Sequence, residues 1–376
     1  MNRIDYPPSA LRTIMEHFQV YGDFQSAALY GNGHINDTYR VLYHLAGQPV
    51  HYLLQRINHT IFKNPLEVQE NIQRVTQHLL RKFQAQGRAD ATRRTRIVIP
   101  TLRNELALQR ADGTWWRVFL FIEEAQTYDV MQTTDQAFLV GQAFAQFQNQ
   151  LADLPAPRLH ETIPHFHNTV KRYAAFQAAL QSDAFNRAKE VRPEIAFFEA
   201  RAERCARLLK RHENGEIPER ITHNDTKLNN VLLDTTTGEG ICVIDLDTVM
   251  PGLALYDFGD MCRTGTAAAA EDEQDLSKVA CRMEMFTAIT RGYCSAARFL
   301  VQAEKEELAF SAQLITLTIG LRFLTDYLSG DTYFRIHRPN HNVDRCRTQQ
   351  RMVLSMENHA DEMERIVAEA CSDVYA

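Results

Sequence analysis

Asp225, Lys227 and Asn230 stand within six residues of one another in the segment HNDTKLNNVLLD, residues 223 to 234. A carboxylate can take the proton of a hydroxyl, a lysine can offset negative charge, and a side-chain amide can offer a hard oxygen to a cation. The apolar VLLD that follows reads as a strand, joined through the Gly- and Thr-rich TTTGEG to a second strand, ICVIDLD. A hairpin brings its outer ends together, so Asp225 and Asn230 are expected to face Asp245, with Asp247 as a support or a further ligand. Oxygen donors converging from two adjacent loops suit Mg²⁺. Without a cation or a basic group to offset it, such a cluster is costly. One aspartate alone would read as a turn former; the whole set favours a metal site.

His223, Asp225, Lys227 and Asn230 also spell H-x-D-x-K-x-x-N, which resembles the kinase catalytic loop H-R-D-x-x-x-x-N. In that loop the Asp receives or orients the substrate hydroxyl proton and the Asn holds magnesium. The metal-binding Asp follows one hairpin later, here Asp245. Asp257-Phe258-Gly259 spells the kinase D-F-G triplet literally, but it follows TVMPGLALY instead of closing the hairpin. Asp257 and Asp260 are therefore expected to brace the catalytic segment.

These residues need a frame, and the chain changes texture near residue 125. Before it come an amphipathic helix at 9–18, a hairpin in AALYGNGHINDTYRVLYH, a third strand in VHYLLQRIN, a helix opening at Pro65, and two strands in RIVIP and WWRVFLFIEEA. After it, helical periodicity dominates at 135–151, 169–182, 193–213, 276–299, 303–328 and 346–370, around the one hairpin. The expected fold is α+β, protein-kinase-like and two-lobed. A small antiparallel sheet lobe with one crossing helix spans residues 1–125 and binds nucleotide; a larger, mainly helical lobe spans 126–376 and carries catalysis and the acceptor. In the first lobe, Gly31 and Gly33 at the hairpin turn can bring backbone amides to phosphates. Arg56 takes the place of the phosphate-pairing lysine, with Glu70 as its partner, and Phe121 to Glu123 form the hinge against the base.

The segments GNGHINDTYRV, LLQRINHTIFKNP, THNDTKLNNVLLD and VIDLDTVMPGLALYDFGD resemble the aminoglycoside phosphotransferase and choline kinase family, and within it the N-acetylhexosamine 1-kinases. The resemblance implies ATP and Mg²⁺ as cofactors, Asp225 as base, Lys227 against the transferred phosphoryl group, and Asn230 and Asp245 as metal ligands. It also implies an N-acetylhexosamine phosphorylated on its anomeric hydroxyl, as a step of carbohydrate metabolism. In TIGLRFLTDYLSGDTYF, Arg322 and Asp326 lie four apart on an apolar helix and can bind sugar hydroxyls or an acetamido group, or else pair with each other. His34 and Tyr333 are further acceptor candidates. Other small-alcohol kinases, acting on an aminoglycoside, homoserine or choline, remain alternatives, as does an inactive nucleotide-binding scaffold.

Bulk properties narrow the partners. A net charge of -6 over 376 residues does not suggest a nucleic-acid binder. The run Arg93, Arg94, Arg96 before IVIP reads as a solvated face. Seven cysteines, odd in number and without a CxxC pair, argue against a disulfide framework and for a reducing compartment. The first residues carry charge throughout with no apolar core of a signal peptide, and WWRVFLFI is too short to cross a bilayer. The expectation is a cytoplasmic protein, monomeric or homodimeric, whose partners are a nucleotide and a small sugar.

Overall fold

The computed structural model describes residues 5–31, 35–128 and 130–372. The chain forms two compact units. The first takes the described residues up to Gln126 and adds two later segments, Asp153–Pro164 and Leu232–Met250. The expected boundary near 125 therefore meets a unit that the chain re-enters twice.

In the first unit, α1 (Pro8–Met15) precedes β1 (Asp23–Leu29), β2 (Asp37–Leu45) and β3 (Gln48–Ile57). Then come α2 (Pro65–Ala85), β4 (Val98–Ile99), β5 (Leu108–Gln109), β6 (Trp115–Leu120) and β7 (Ala125–Gln126). The antiparallel sheet runs β1-β2-β3-β6-β4, with β5 also on β6. Ala46 and Gly47, both at positive φ, join Leu45 to Gln48 in the tight turn whose twist suits adjacent strands. Strand alternation gives the sheet two chemically distinct faces. Tyr39, Val41, Tyr43, Tyr52, Leu54, Trp116 and Val118 pack with Leu11, Ile14 and Met15 of α1. The opposite face carries Gln55 and Arg117, which hydrogen-bond to each other, and Arg117 also reaches Gln69 of α2. The late hairpin, β9 (Val231–Asp234) and β10 (Gly240–Val243), adds a small sheet in the order β10-β9-β7.

The second unit is mainly helical: α3 (Thr134–Leu151), α4 (Thr169–Ser182), α5 (Arg192–Glu199), α6 (Arg207–Glu213), the short β8 (Arg220–Thr222), and, after β11 (Met250–Gly252), α7 (Ala254–Gly265), α8 (Met283–Ala296), α9 (Gln302–Leu328), α10 (His341–Asn358) and α11 (Ala360–Ser372). Thr133 and Gln136 form a reciprocal capping box that starts α3. Gly141 of α3 and Gly292 of α8 allow those helices close approach; a methyl group on either would collide with the carbonyl of Ile289 or Phe138. α9 is long and apolar enough to cross a membrane, but 94% of its most apolar window is buried within the protein, which makes it a core helix.

Three helix expectations differ from the structure in their bounds or continuity. The stretch 193–213 breaks after Glu199, where Arg201 folds its guanidinium back onto the Phe197 carbonyl and pairs with Glu357. The stretch 346–370 divides at His359 into α10 and α11, and α8 starts only at Met283.

Candidate active site

The catalytic-type loop lies in the second unit between β8 and β9, and α7 fixes its main chain. Asp257 accepts the N–H of His223 at 2.8 Å and of Asn224 at 2.7 Å, and Asp260 accepts that of Thr226 at 2.9 Å. The Thr226 hydroxyl donates to the Asp257 carbonyl, and Gln148 donates to the Asp257 carboxylate. His167 Nε2 donates to the Asn224 carbonyl at 2.9 Å. The His223 ring is buried edge-on between Phe144 and Phe147. Asp257, Phe258 and Gly259 are thus structural: a carboxylate bracing the loop, a buried ring against Phe286, and a glycine where a side chain would strike the Ser311 carbonyl of α9.

With the backbone held from behind, Asp225 projects its carboxylate and keeps its side chain 27% exposed. Lys227 Nζ lies 3.0 Å from Asp225 Oδ2. Asn230 Nδ2 donates to both Asp225 Oδ2, at 3.1 Å, and the Asp225 carbonyl, at 2.7 Å. Burial pushes the Asp225 pKa up, but Lys227, His223 and the two side-chain hydrogen bonds outweigh it, so the carboxyl titrates below its ordinary value. Asp225 is therefore ionised and ready to accept a proton. Because the Asn230 amide nitrogen is turned to Asp225, its carbonyl oxygen is the atom left for a cation.

In the first unit, the residue after Ile244 is the functional candidate at the hairpin's end. Asp245 adopts a left-handed backbone, φ 59° and ψ 56°, which aspartate tolerates better than most residues and which turns the chain sharply out of β10. Asp247 has a different task. Arg117 Nη1 lies 2.5 Å from its Oδ1, as a close ion pair with the proton off-axis, and Asn36 donates to Oδ2 at 2.6 Å. Both charged side chains are 2 to 3% exposed. Thr162 donates to the Asp247 carbonyl, and Asn71 donates to those of Val249 and His160. Arg117, Gln69 and Asn71 escaped the sequence reading. Their one visible signal was an arginine interrupting an otherwise apolar strand.

The nucleotide candidates fall out differently. Gly31 has φ 70°, the glycine-favouring conformation expected at that turn, whereas Gly33 and His34 lie outside the described residues. Arg56 is bound to Asp37 at 2.7 Å and lies 6.0 Å from the Tyr6 ring, on the α1 face of the sheet. Glu70 meets His160 at 3.0 Å instead of Arg56. The cause is strand periodicity: Gln55, one residue earlier, is the side chain on the α2 face. At the hinge segment, the Phe121 N–H is taken by the His51 carbonyl and the Glu123 carbonyl by Arg93, while the Glu123 carboxylate meets His51 at 2.6 Å. The Phe121 ring meets Tyr30 edge-on.

Of the acceptor candidates, Arg322 and Tyr333 come together: Arg322 Nη2 donates to the Tyr333 hydroxyl at 3.3 Å. The guanidinium is enclosed by the rings of Phe166, Phe334 and Tyr333 at 4.9, 5.3 and 5.5 Å. Asp326 is occupied otherwise. It accepts the backbone N–H groups of Thr332, Tyr333 and Phe334 and the Asn342 amide, so it shapes the loop that presents Tyr333 and makes no pair with Arg322. Burial lowers the pKa of Arg322, and it lowers that of Arg172 to about 10 with Arg322 adding to the effect.

Among the described residues no group of three or more His, Cys, Asp or Glu side chains is placed to hold a metal ion. The Asn230 amide, in the second unit, and the Asp245 carboxylate, in the first, each offer a hard oxygen. That suits Mg²⁺, which takes one or two protein groups and completes its shell with water and phosphate.

Comparison with known proteins bears on the fold and the family. Residues 26–284 match the model of the phosphotransferase enzyme family. An aminoglycoside phosphotransferase from Alicyclobacillus acidocaldarius is similar over 100% of this chain and 98% of its own, at 14% identity and TM-score 0.57. A microcompartment-associated aminopropanol kinase is similar over 95% and 98%, at 16% identity and TM-score 0.54. A spectinomycin phosphotransferase, solved with ADP and spectinomycin, is similar over 96% and 100%, at 13% identity and TM-score 0.54. At these identities the structures speak for the fold, an antiparallel sheet unit followed by a larger helical one, and the family match for the chemistry. The chain belongs to the phosphotransferase enzyme family.

Proposed function

We propose that the chain is an ATP- and Mg²⁺-dependent sugar 1-kinase, transferring the γ-phosphoryl group to the anomeric hydroxyl of an N-acetylhexosamine. The observation that carries the phosphotransfer is Asp225, ionised, part-exposed and flanked by Lys227 and Asn230 on a loop whose backbone is held by α7. The acceptor oxygen attacks phosphorus, the bond between the γ-phosphorus and the bridging oxygen of ADP breaks, and the hydroxyl proton passes to the Asp225 carboxylate. Lys227 offsets charge on the transferred group. Asn230 and Asp245 would hold magnesium, which when bound would offset the negative charge of the phosphates.

The choice of acceptor rests on Arg322. A guanidinium in an aromatic enclosure, with Arg172 within electrostatic range, favours a carbonyl or hydroxyl oxygen and disfavours a cationic amine. The nearby carboxylates are spent: Asp260 on Arg263 and the Thr226 amide, Asp326 on its own loop. An aminoglycoside, choline or ethanolamine acceptor fits such a site poorly. The test is ATP turnover across a panel of free sugars and amino alcohols, with phosphorus NMR of the product. Anomeric phosphate supports the reading, 6-phosphate redirects it, and turnover of amino alcohols alone overturns it.

A further inference from the structure

Within the sheet unit the run Arg93, Arg94, Arg96 is not a solvated face. Arg93 pairs with Asp234 at 3.0 Å and donates to the Glu123 and Glu124 carbonyls. Arg94 pairs with Asp90 and Glu239, at 2.7 Å to each. Arg96 differs: among the described residues its side chain makes no hydrogen bond and no ion pair, although it is half-buried. Its guanidinium carbon lies 5.8 Å from the centre of the Phe119 ring, and that of Arg117 lies 5.2 Å from the same ring. Arg117 is fully engaged by Gln55, Gln69 and Asp247. Two cations thus share one aromatic ring, and only one has its counter-ion.

The titratable groups within range of Arg96 are Tyr30, beside the glycine turn, Cys242 of β10, Asp245 and Arg117. Burial and Arg117 disfavour its charge, and Asp245 favours it. A part-buried guanidinium without a hydrogen-bonded partner is costly and gains most from an anion that several of its N–H groups can reach. Arg56 offers no such opening, because Asp37 already holds it on the other face.

We propose that Arg96, not Arg56, is the phosphate-pairing cation of the sheet unit, its guanidinium contacting the polyphosphate of a nucleotide whose metal Asp245 holds. The assignment rests on the kinase reading. It predicts that the chain's preference for a nucleotide over the bare nucleoside comes in large part through this one side chain. Calorimetric titration of the full chain with Mg·ATP, Mg·ADP and adenosine measures that preference without turnover. Arg96→Gln is expected to weaken Mg·ATP and Mg·ADP by roughly 10- to 100-fold, the worth of a charge-assisted contact. Adenosine affinity should stay within about two-fold, since a stacked base does not need the charge. Arg96→Lys keeps a cation but loses the forked geometry, so it should fall between; it also decides the matter if the glutamine variant does not fold. Wild-type nucleotide preference in the folded Arg96 variants overturns the assignment alone, as does its loss in Arg56→Gln with none in Arg96→Gln. Failure of the wild-type chain to bind Mg·ATP overturns the kinase reading and this assignment together.

Discussion

Asp257 of α7 accepts the backbone N–H groups of both His223 and Asn224, so one buried carboxylate sets the main chain on which Asp225 stands. Replacing Asp257 by Asn keeps one acceptor oxygen but turns an NH₂ group toward a donor. We expect Asp257→Asn to lower kcat by roughly 10- to 100-fold with little change in KM for ATP, because it displaces the proton acceptor and leaves nucleotide contacts alone. Asp257→Ala should also lose about 3 kcal/mol of stability by leaving buried N–H groups unsatisfied. Steady-state kinetics and urea unfolding read the two effects separately.

The same loop makes stability depend on pH through two opposed groups. Burial raises the Asp257 pKa from 3.8 to about 6, so the fold holds that proton more tightly than the unfolded chain does. Its contribution is complete below about pH 4 and is lost as pH rises through about 6. Burial lowers the His167 pKa from 6.5 to about 4, so its contribution is present above pH 6.5 and is lost as pH falls through about 4. Urea melts between pH 4 and 7 should therefore show a steeper rise in stability with pH for Asp257→Asn than for wild type. His167→Gln, which can still donate to the Asn224 carbonyl, should flatten that rise.

Arg117 and Asp247 are a buried pair whose members are worth more together than either alone. Arg117→Met or Asp247→Ala should each cost about 3–5 kcal/mol, because each strands the partner's charge. The double variant should cost less than the sum of the two, and a double-mutant cycle on chemical denaturation measures the difference.

Asp326 shapes the loop carrying Tyr333 without touching an acceptor in the proposed scheme. Asp326→Asn should raise acceptor KM by roughly five-fold or more while leaving ATP binding intact, since an amide cannot serve every N–H that the carboxylate receives. Equal loss for both substrates would show general destabilisation instead.

Much of this was legible in the sequence because it is local. Lys227, Asn230 and Asp225 lie within one turn of chain, and a short spacing rule captures their contact. The bracing by Asp257 and Asp260 was also readable, since D-F-G stood in the wrong place for a metal site. Arg56 stands one residue off the α2 face: consecutive strand side chains point to opposite faces, and a motif match cannot tell which face α2 covers. Arg117, Gln69, Asn36 and Asp247 converge from four distant segments, and no spacing rule links them. Asp326 looked like a ligand because helical periodicity places it near Arg322, while the amides that capture it follow a turn whose path the pattern does not show.

The re-entry of the chain into its first unit also bears on how the molecule is born. Segment 232–250 completes that unit only after much of the helical unit has been made. On the ribosome, the sheet of β1 to β6 can assemble early, but Arg117 waits with its charge unmatched until Asp247 emerges. A chain stalled before residue 247 thus lacks the carboxylate that Arg117 pairs with in the complete unit.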